Sequence, residues 1–183
     1  VMVYAVAGAA LADGSPGLVL HFAGKPWNLF GHGSLLLAGL ASASAQAQVE
    51  TLFEILSVSM VVLIPWGSGA DRFRLAGGIG TAAALAVIVF PLMAHWTWGS
   101  GWLAQLGVNF SLGAGLLDPG GAATTHAVGG LSALAVVWIA GARKGKFPKE
   151  DVSTAMPGHN GVFIRFGCFL ALVGWLAWNT SGA

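Results

Sequence analysis

From Ala122 to Ala142 the chain is a nearly uninterrupted apolar run. Written as a helix rising roughly 1.5 Å per residue, such a run crosses a bilayer core of about 30 Å. Similar stretches recur at about residues 48–66, 75–98 and 159–179, and residues 1–12 read as the second half of another. Inside hydrocarbon every backbone N–H and C=O needs a partner within the protein, and helices supply it locally. Composition points the same way. Of 183 residues 56% are hydrophobic and only 8% charged, about a third of the globular norm of roughly 25%. So few charges cannot clothe a water-soluble surface. The expected fold is all-α: an incomplete polytopic transmembrane helix bundle, one partial domain with spans at about 1–12, 48–66, 75–98, 120–142 and 159–179.

The connecting segments orient the spans. Arg72 and Arg74 lie in the turn at 67–74, and Arg143, Lys144, Lys146 and Lys149 lie in the loop at 143–158. These are six of the eight Lys and Arg residues. By the positive-inside rule both segments are expected to be cytoplasmic, which leaves 13–47 and 99–118 outside. Within 13–47, Gly33 to Ala43 is expected to form a short interfacial helix. The span at 75–98 is expected to kink at Pro91. Neither end of the chain has a polar tail or a signal-peptide pattern, as expected of an internal piece of a larger chain. A net charge of +1, with no basic patch interleaved with aromatics, gives no sign of a nucleic-acid partner. The single Cys168 has no companion for a disulfide or a metal-thiolate site. No cofactor or metal is expected, and nothing suggests an enzyme.

Just before the first run stands Asp118-Pro119-Gly120-Gly121. Asp is a good N-cap and Pro suits the first helical position, so the helix is expected to begin here. His126 follows Asp118 by eight residues, which is about two turns and roughly 12 Å into the span. An ionisable ring at that depth is costly and reads as a functional candidate; the bland alternative is a histidine bonded between helices. Trp98, at the end of its span, is placed either for an aromatic belt or for cation–π contact with a cationic ligand. Trp96 and Trp102 read as belt residues. Glu50 and Glu54 share one helical face, where like charges repel, so one of them needs a proton or a partner; Glu54 reads as structural, and Glu50 stays open between that and attracting a cation. Arg165, two turns inside the last span, needs a partner or must snorkel.

Several separated motifs resemble the ammonium transporter family, which includes the Rhesus proteins. These are Val3-Tyr4 through Asp13-Gly14, Phe53-Glu54, Asp71-Arg72-Phe73-Arg74, His95-Trp96-Thr97-Trp98-Gly99, Asp118 to His126, and His159-Asn160 with Gly174-Trp175 and Asn179. The likeness covers nearly the whole chain, as the second through sixth spans of that fold. It implies a homotrimeric plasma-membrane protein, in bacteria of the inner membrane. Ammonium would be recruited at an outer vestibule and pass an aromatic gate. It would then lose its proton, and ammonia and the proton would cross a narrow apolar pore lined by two histidines, the second on a later helix that this chain lacks. Carried over by position, Trp98 would recruit the cation, Asp118 would be the buried structural aspartate and His126 the first pore histidine. The two gate positions fall on Ser57 and Trp178, where the family has two phenylalanines, and the position of the vestibule serine falls on Gly182. Two other readings stay open: an ammonium-sensing membrane domain of a larger signalling protein, and a haem-binding membrane redox subunit using His95 and His126.

Overall fold

The computed structural model describes residues 1–13, 15–72, 74–148 and 152–181. Gly182, matched above to the vestibule serine, lies outside the described residues, as do Gly14, Phe73 and Lys149. Helix α1 (residues 4–12) opens with a π-helical turn, Tyr4–Gly8, and ends at Ala12. Long helices follow: α2 (Ala45–Gly69), α3 (Leu75–Thr97), α5 (Ala122–Ala140) and α6 (Gly161–Ser181), with the short α4 (Leu106–Phe110) before α5. The four long ones are each apolar enough to cross a membrane. The molecule is thus a mostly helical, polytopic bundle.

Capping sets two of the boundaries. The Ser44 hydroxyl accepts from the Ala47 amide at 3.2 Å and starts α2 at Ala45. The Asn160 carboxamide accepts from Val162 and Phe163 and starts α6 at Gly161. In α3 the turn before Pro91, Leu85–Val89, widens to a π turn. This is how the helix accommodates a ring that has no N–H and would press on the carbonyl one turn back.

The segment after α1 is not an irregular loop. Strands β1 (Pro16–Phe22) and β2 (Lys25–Gly31) pair antiparallel, Phe22 opposite Lys25, around a two-residue turn. Ala23 and Gly24 both have positive φ, 52° and 74°, as a type I′ turn requires. The helix expected over Gly33 to Ala43 is two separate 3-10 turns, Leu35–Leu37 and Leu40–Ser42, broken where Gly39 takes φ 88°. Short β-branched and aromatic runs around Ala-Gly carried the hairpin signal, diluted by Gly17, His21 and Pro26.

The hairpin is tied down along β2. The Trp96 indole donates to the Leu29 carbonyl at 2.8 Å, the Trp102 amide to Asn28 at 3.0 Å and the Asn109 side chain to Pro26 at 3.1 Å. Trp27 packs against Trp102 and Phe110, and Trp102 against Trp96. Trp96 and Trp102 therefore hold the hairpin to the segment after α3, a closer engagement than a membrane belt. Where β2 ends, Gly31 lies against the first helix. A Cβ there would run into the carbonyl oxygens of Asp13 and Leu11 and come within 3.0 Å of His95 Nδ1. Backbone oxygens cannot swing aside. Gly31→Ala is expected to lower stability by about 1–3 kcal/mol, read as a lower melting midpoint in detergent.

The core lies where α1, α2 and α3 meet, with Tyr4, Val58, Val61 and Phe90 fully buried. Helix α5 packs along α2, with Gly129 seated against Ile64. Helix α6 is exposed along its described length apart from Trp178 and Asn179. At the end opposite the hairpin, Arg72 donates to the carbonyls of Ser68, at 2.7 Å, and Gly141, joining the C-termini of α2 and α5. There Asp71 also pairs with Arg143 at 3.0 Å.

Candidate functional site: an aromatic chamber over a buried aspartate

Asp118 does cap a helix, though not from the position its motif suggests. The helix starts at Ala122, and Pro119, Gly120 and Gly121 form a turn that folds the carboxylate back over the first amides. Gly121 has φ 63°, which favours glycine. Asp118 is buried. Its two oxygens accept from the Ala123 amide at 3.2 and 3.1 Å, and one of them also accepts from the Thr124 amide and hydroxyl, each at 2.7 Å. Since Thr124 gives its proton to the carboxylate, it accepts from Thr97 across the 2.7 Å hydroxyl contact. That bond joins the end of α3 to the start of α5.

The same turn holds three rings through backbone carbonyls. The Trp98 indole donates to the Asp118 carbonyl at 2.7 Å and the Trp178 indole to Gly120 at 3.1 Å. His126 Nδ1 lies 3.1 Å from the Gly121 carbonyl. A carbonyl only accepts, so Nδ1 carries the proton, and in the neutral ring Nε2 keeps its lone pair. His95 is fixed in the same way, with Nδ1 donating to the Asp13 carbonyl at 2.7 Å. It serves the junction of α1, α3 and the hairpin.

Rings continue from there. Phe53 sits between Trp98, at a centroid distance of 5.5 Å, and Trp178, at 4.5 Å and 31°. Trp98 also meets Phe90 edge-on, and Phe90 meets Tyr4. Ser57 is buried one turn further along α2 and donates its hydroxyl to the Phe53 carbonyl at 2.7 Å. The ring stacked on Trp178 is therefore that of Phe53. Ser57, one turn on and on the same helical face, presents a short hydroxyl bonded to its own helix where a ring would be needed to reach Trp178.

Two cavities flank this stack. One, of about 680 Å³, is lined by Phe53, Glu54, Thr97, Trp98, Leu117 and Asp118. The other, also about 680 Å³, is almost wholly apolar and is lined by His126, Met60, Cys168, Leu172, Trp175 and Trp178. Phe53 lines the first cavity and Trp178 the second, so the ring pair lies between carboxylates with aromatic faces on one side and one imidazole among apolar side chains on the other. Glu54, read from the sequence as structural, lines the first of these cavities. Its carboxylate accepts from the Tyr4 hydroxyl at 2.7 Å.

Four apolar helices long enough to span a membrane define a polytopic helical membrane protein, with a polar and an apolar cavity on either side of one ring pair. The model of the Ammonium Transporter Family matches residues 1–183, and the chain belongs to that family. It is 34% identical to the ammonium transporter Amt2 of Archaeoglobus fulgidus over 131 residues, 70% of this chain and 28% of that protein. It is 31% identical to a putative ammonium transporter of Synechocystis over 133 residues, 72% of the chain and 28% of that protein. Over its whole length it is 26% identical to Amt2 of Haloferax mediterranei, 38% of which it covers. The chain thus spans well under half of these relatives. No solved structure matches it.

Proposed function

We propose that this chain forms the outer half of a pathway that transports ammonium or ammonia across the plasma membrane as part of a homotrimeric protein. The segments 67–74 and 143–158 face the cytoplasm and the hairpin end faces outward, so the chamber beside Trp98 and Asp118 is the vestibule. A cation resists entering hydrocarbon because its charge is costly to desolvate. The vestibule offers the face of Trp98 and the nearby carboxylates, while the dry chamber below admits the neutral amine and presents His126. Phe53 and Trp178 close the passage between them. The observation that carries this reading is the sequence of environments across one ring pair, from acidic and aromatic to apolar with a single imidazole.

The test is saturable uptake of labelled methylammonium by cells producing the full-length protein, competed by ammonium. His126→Ala removes the polar group in the dry chamber and is expected to reduce uptake by at least about 100-fold. Uptake that survives this change, or none in the unsubstituted protein, rejects the proposal. One feature favours a second reading, a sensing domain that binds ammonium without flux. The Trp178 indole is both stacked on Phe53 and hydrogen-bonded to Gly120, which fixes the closing ring. Saturable ammonium binding without methylammonium uptake would select that reading.

A further inference from the structure

Glu54 lies nine residues inside α2, where a carboxylate in an apolar helix needs its charge compensated. The ionisable groups around it are Tyr4 on α1, Asp13 just past the end of α1, Glu50 one turn earlier on α2 and Asp118 before α5. None is cationic. Both chambers that Glu54 lines are free of Lys, Arg and His among the described residues. Its only described hydrogen bond is the one from Tyr4, which engages Oε2, and Oε1 has no described partner. Tyr4 is fully buried and wedged edge-on against Phe90, so Oε2 is held in place. Glu54 also borders two spaces at once: the aromatic vestibule with Phe53 and Trp98, and a smaller cavity of about 370 Å³ with Asp13, Ser34, Glu50 and Thr51.

A carboxylate without a protein counter-charge, pinned at one oxygen and bordering the space where a cation would sit, is suited to alternate between two compensators: a proton and the cation itself. From this geometry, and resting on the transport reading above, we infer that Glu54 accepts the proton that ammonium must shed before entering the apolar chamber.

In that step one N–H bond of ammonium breaks and its proton joins Glu54 Oε1. The nitrogen keeps the electron pair. A cation and a carboxylate become neutral ammonia and a neutral carboxyl. Ammonia passes between Phe53 and Trp178 towards His126. The carboxyl resets by giving its proton to water in the smaller cavity, on the side of Asp13 and Glu50. Tyr4 is a positioning residue: its hydroxyl steadies the ionised form, and its ring fixes the rotamer. A structural carboxylate would bridge α1 and α2 equally well without a proton to trade, and this difference is measurable.

The experiment measures labelled methylammonium uptake by the full-length protein over a pH series in three variants. E54Q keeps the side-chain volume and the acceptor for Tyr4 but cannot take a proton. It is expected to melt like the unsubstituted protein while uptake falls about 100-fold and loses its acid limb. Y4F removes the donor that holds Oε2, so uptake persists with an altered acid limb. E54D keeps a carboxyl and is expected to retain a pH-dependent profile at reduced rate. E54Q with uptake within about twofold of the unsubstituted protein and an unchanged profile overturns the inference. Should E54Q not accumulate, a pH-independent E54D does so instead. Uptake lost in His126→Ala but intact in E54Q rejects the role of Glu54 alone, whereas no saturable uptake in the unsubstituted protein rejects the transport reading beneath it.

Discussion

Asp118→Asn is expected to melt earlier and to lose nearly all transport. The carboxylate serves three donor groups, the Ala123 amide and the Thr124 amide and hydroxyl. An asparagine side chain has one acceptor atom, and its NH₂ would face an amide N–H. At least one buried donor then loses its partner, at a cost of about 1–3 kcal/mol, and the remaining bonds lose their charge assistance. The damage does not stop at the helix start. Trp98, Trp178 and His126 hang from the carbonyls of residues 118, 120 and 121, so a shift of this turn displaces all three rings together. A 1 Å misplacement can cost about 100-fold in rate. A fall in melting midpoint together with at least a tenfold loss of methylammonium uptake is therefore expected. Glu at this position should not restore uptake, because its longer arm cannot fold back over Ala123. Asn with both properties unchanged would show that the turn holds without the charge.

The long elements were readable because membrane spans are written redundantly, each in about twenty residues. The site was readable only in part, and the reasons are local. Asp118 and His126 announced themselves because a polar residue beside an apolar run is conspicuous. The chain nevertheless starts α5 at Ala122, since the two glycines let the carboxylate reach the amides from outside the helix, a geometry that capping rules based on adjacent residues do not describe. The hairpin was hidden by its Gly, Pro and His content, which resembles loop composition. That Phe53 packs on Trp178 depends on how α6 meets α2, a tertiary relation that the motif Phe53-Glu54 does not carry. Glu54 could be seen to need a partner, but that the partner is Tyr4, fifty residues away, follows only from the packing of α1 on α2.

Trp98 offers the most direct test of the proposed cation recruitment. Its indole N–H is committed to the Asp118 carbonyl, which orients the ring, and Phe53 and Phe90 pack against it. A desolvated cation–π contact contributes about 2 kcal/mol, close to a factor of 30 in affinity. Trp98→Leu removes the π face and the hydrogen bond together. If recruitment is what Trp98 does, KM for methylammonium rises about 30-fold, and the maximal rate changes less because later steps use other groups. Trp98→Phe restores a weaker π face without the donor and should fall between the two. The order Trp, Phe, Leu in KM is specific to a cation on the ring. A purely anchoring tryptophan predicts another pattern: Phe and Leu equally poor, both with lower melting midpoints, since each lacks the bond to Asp118. Equal KM in all three proteins would remove Trp98 from recruitment and leave the vestibule carboxylates as the groups that concentrate the cation.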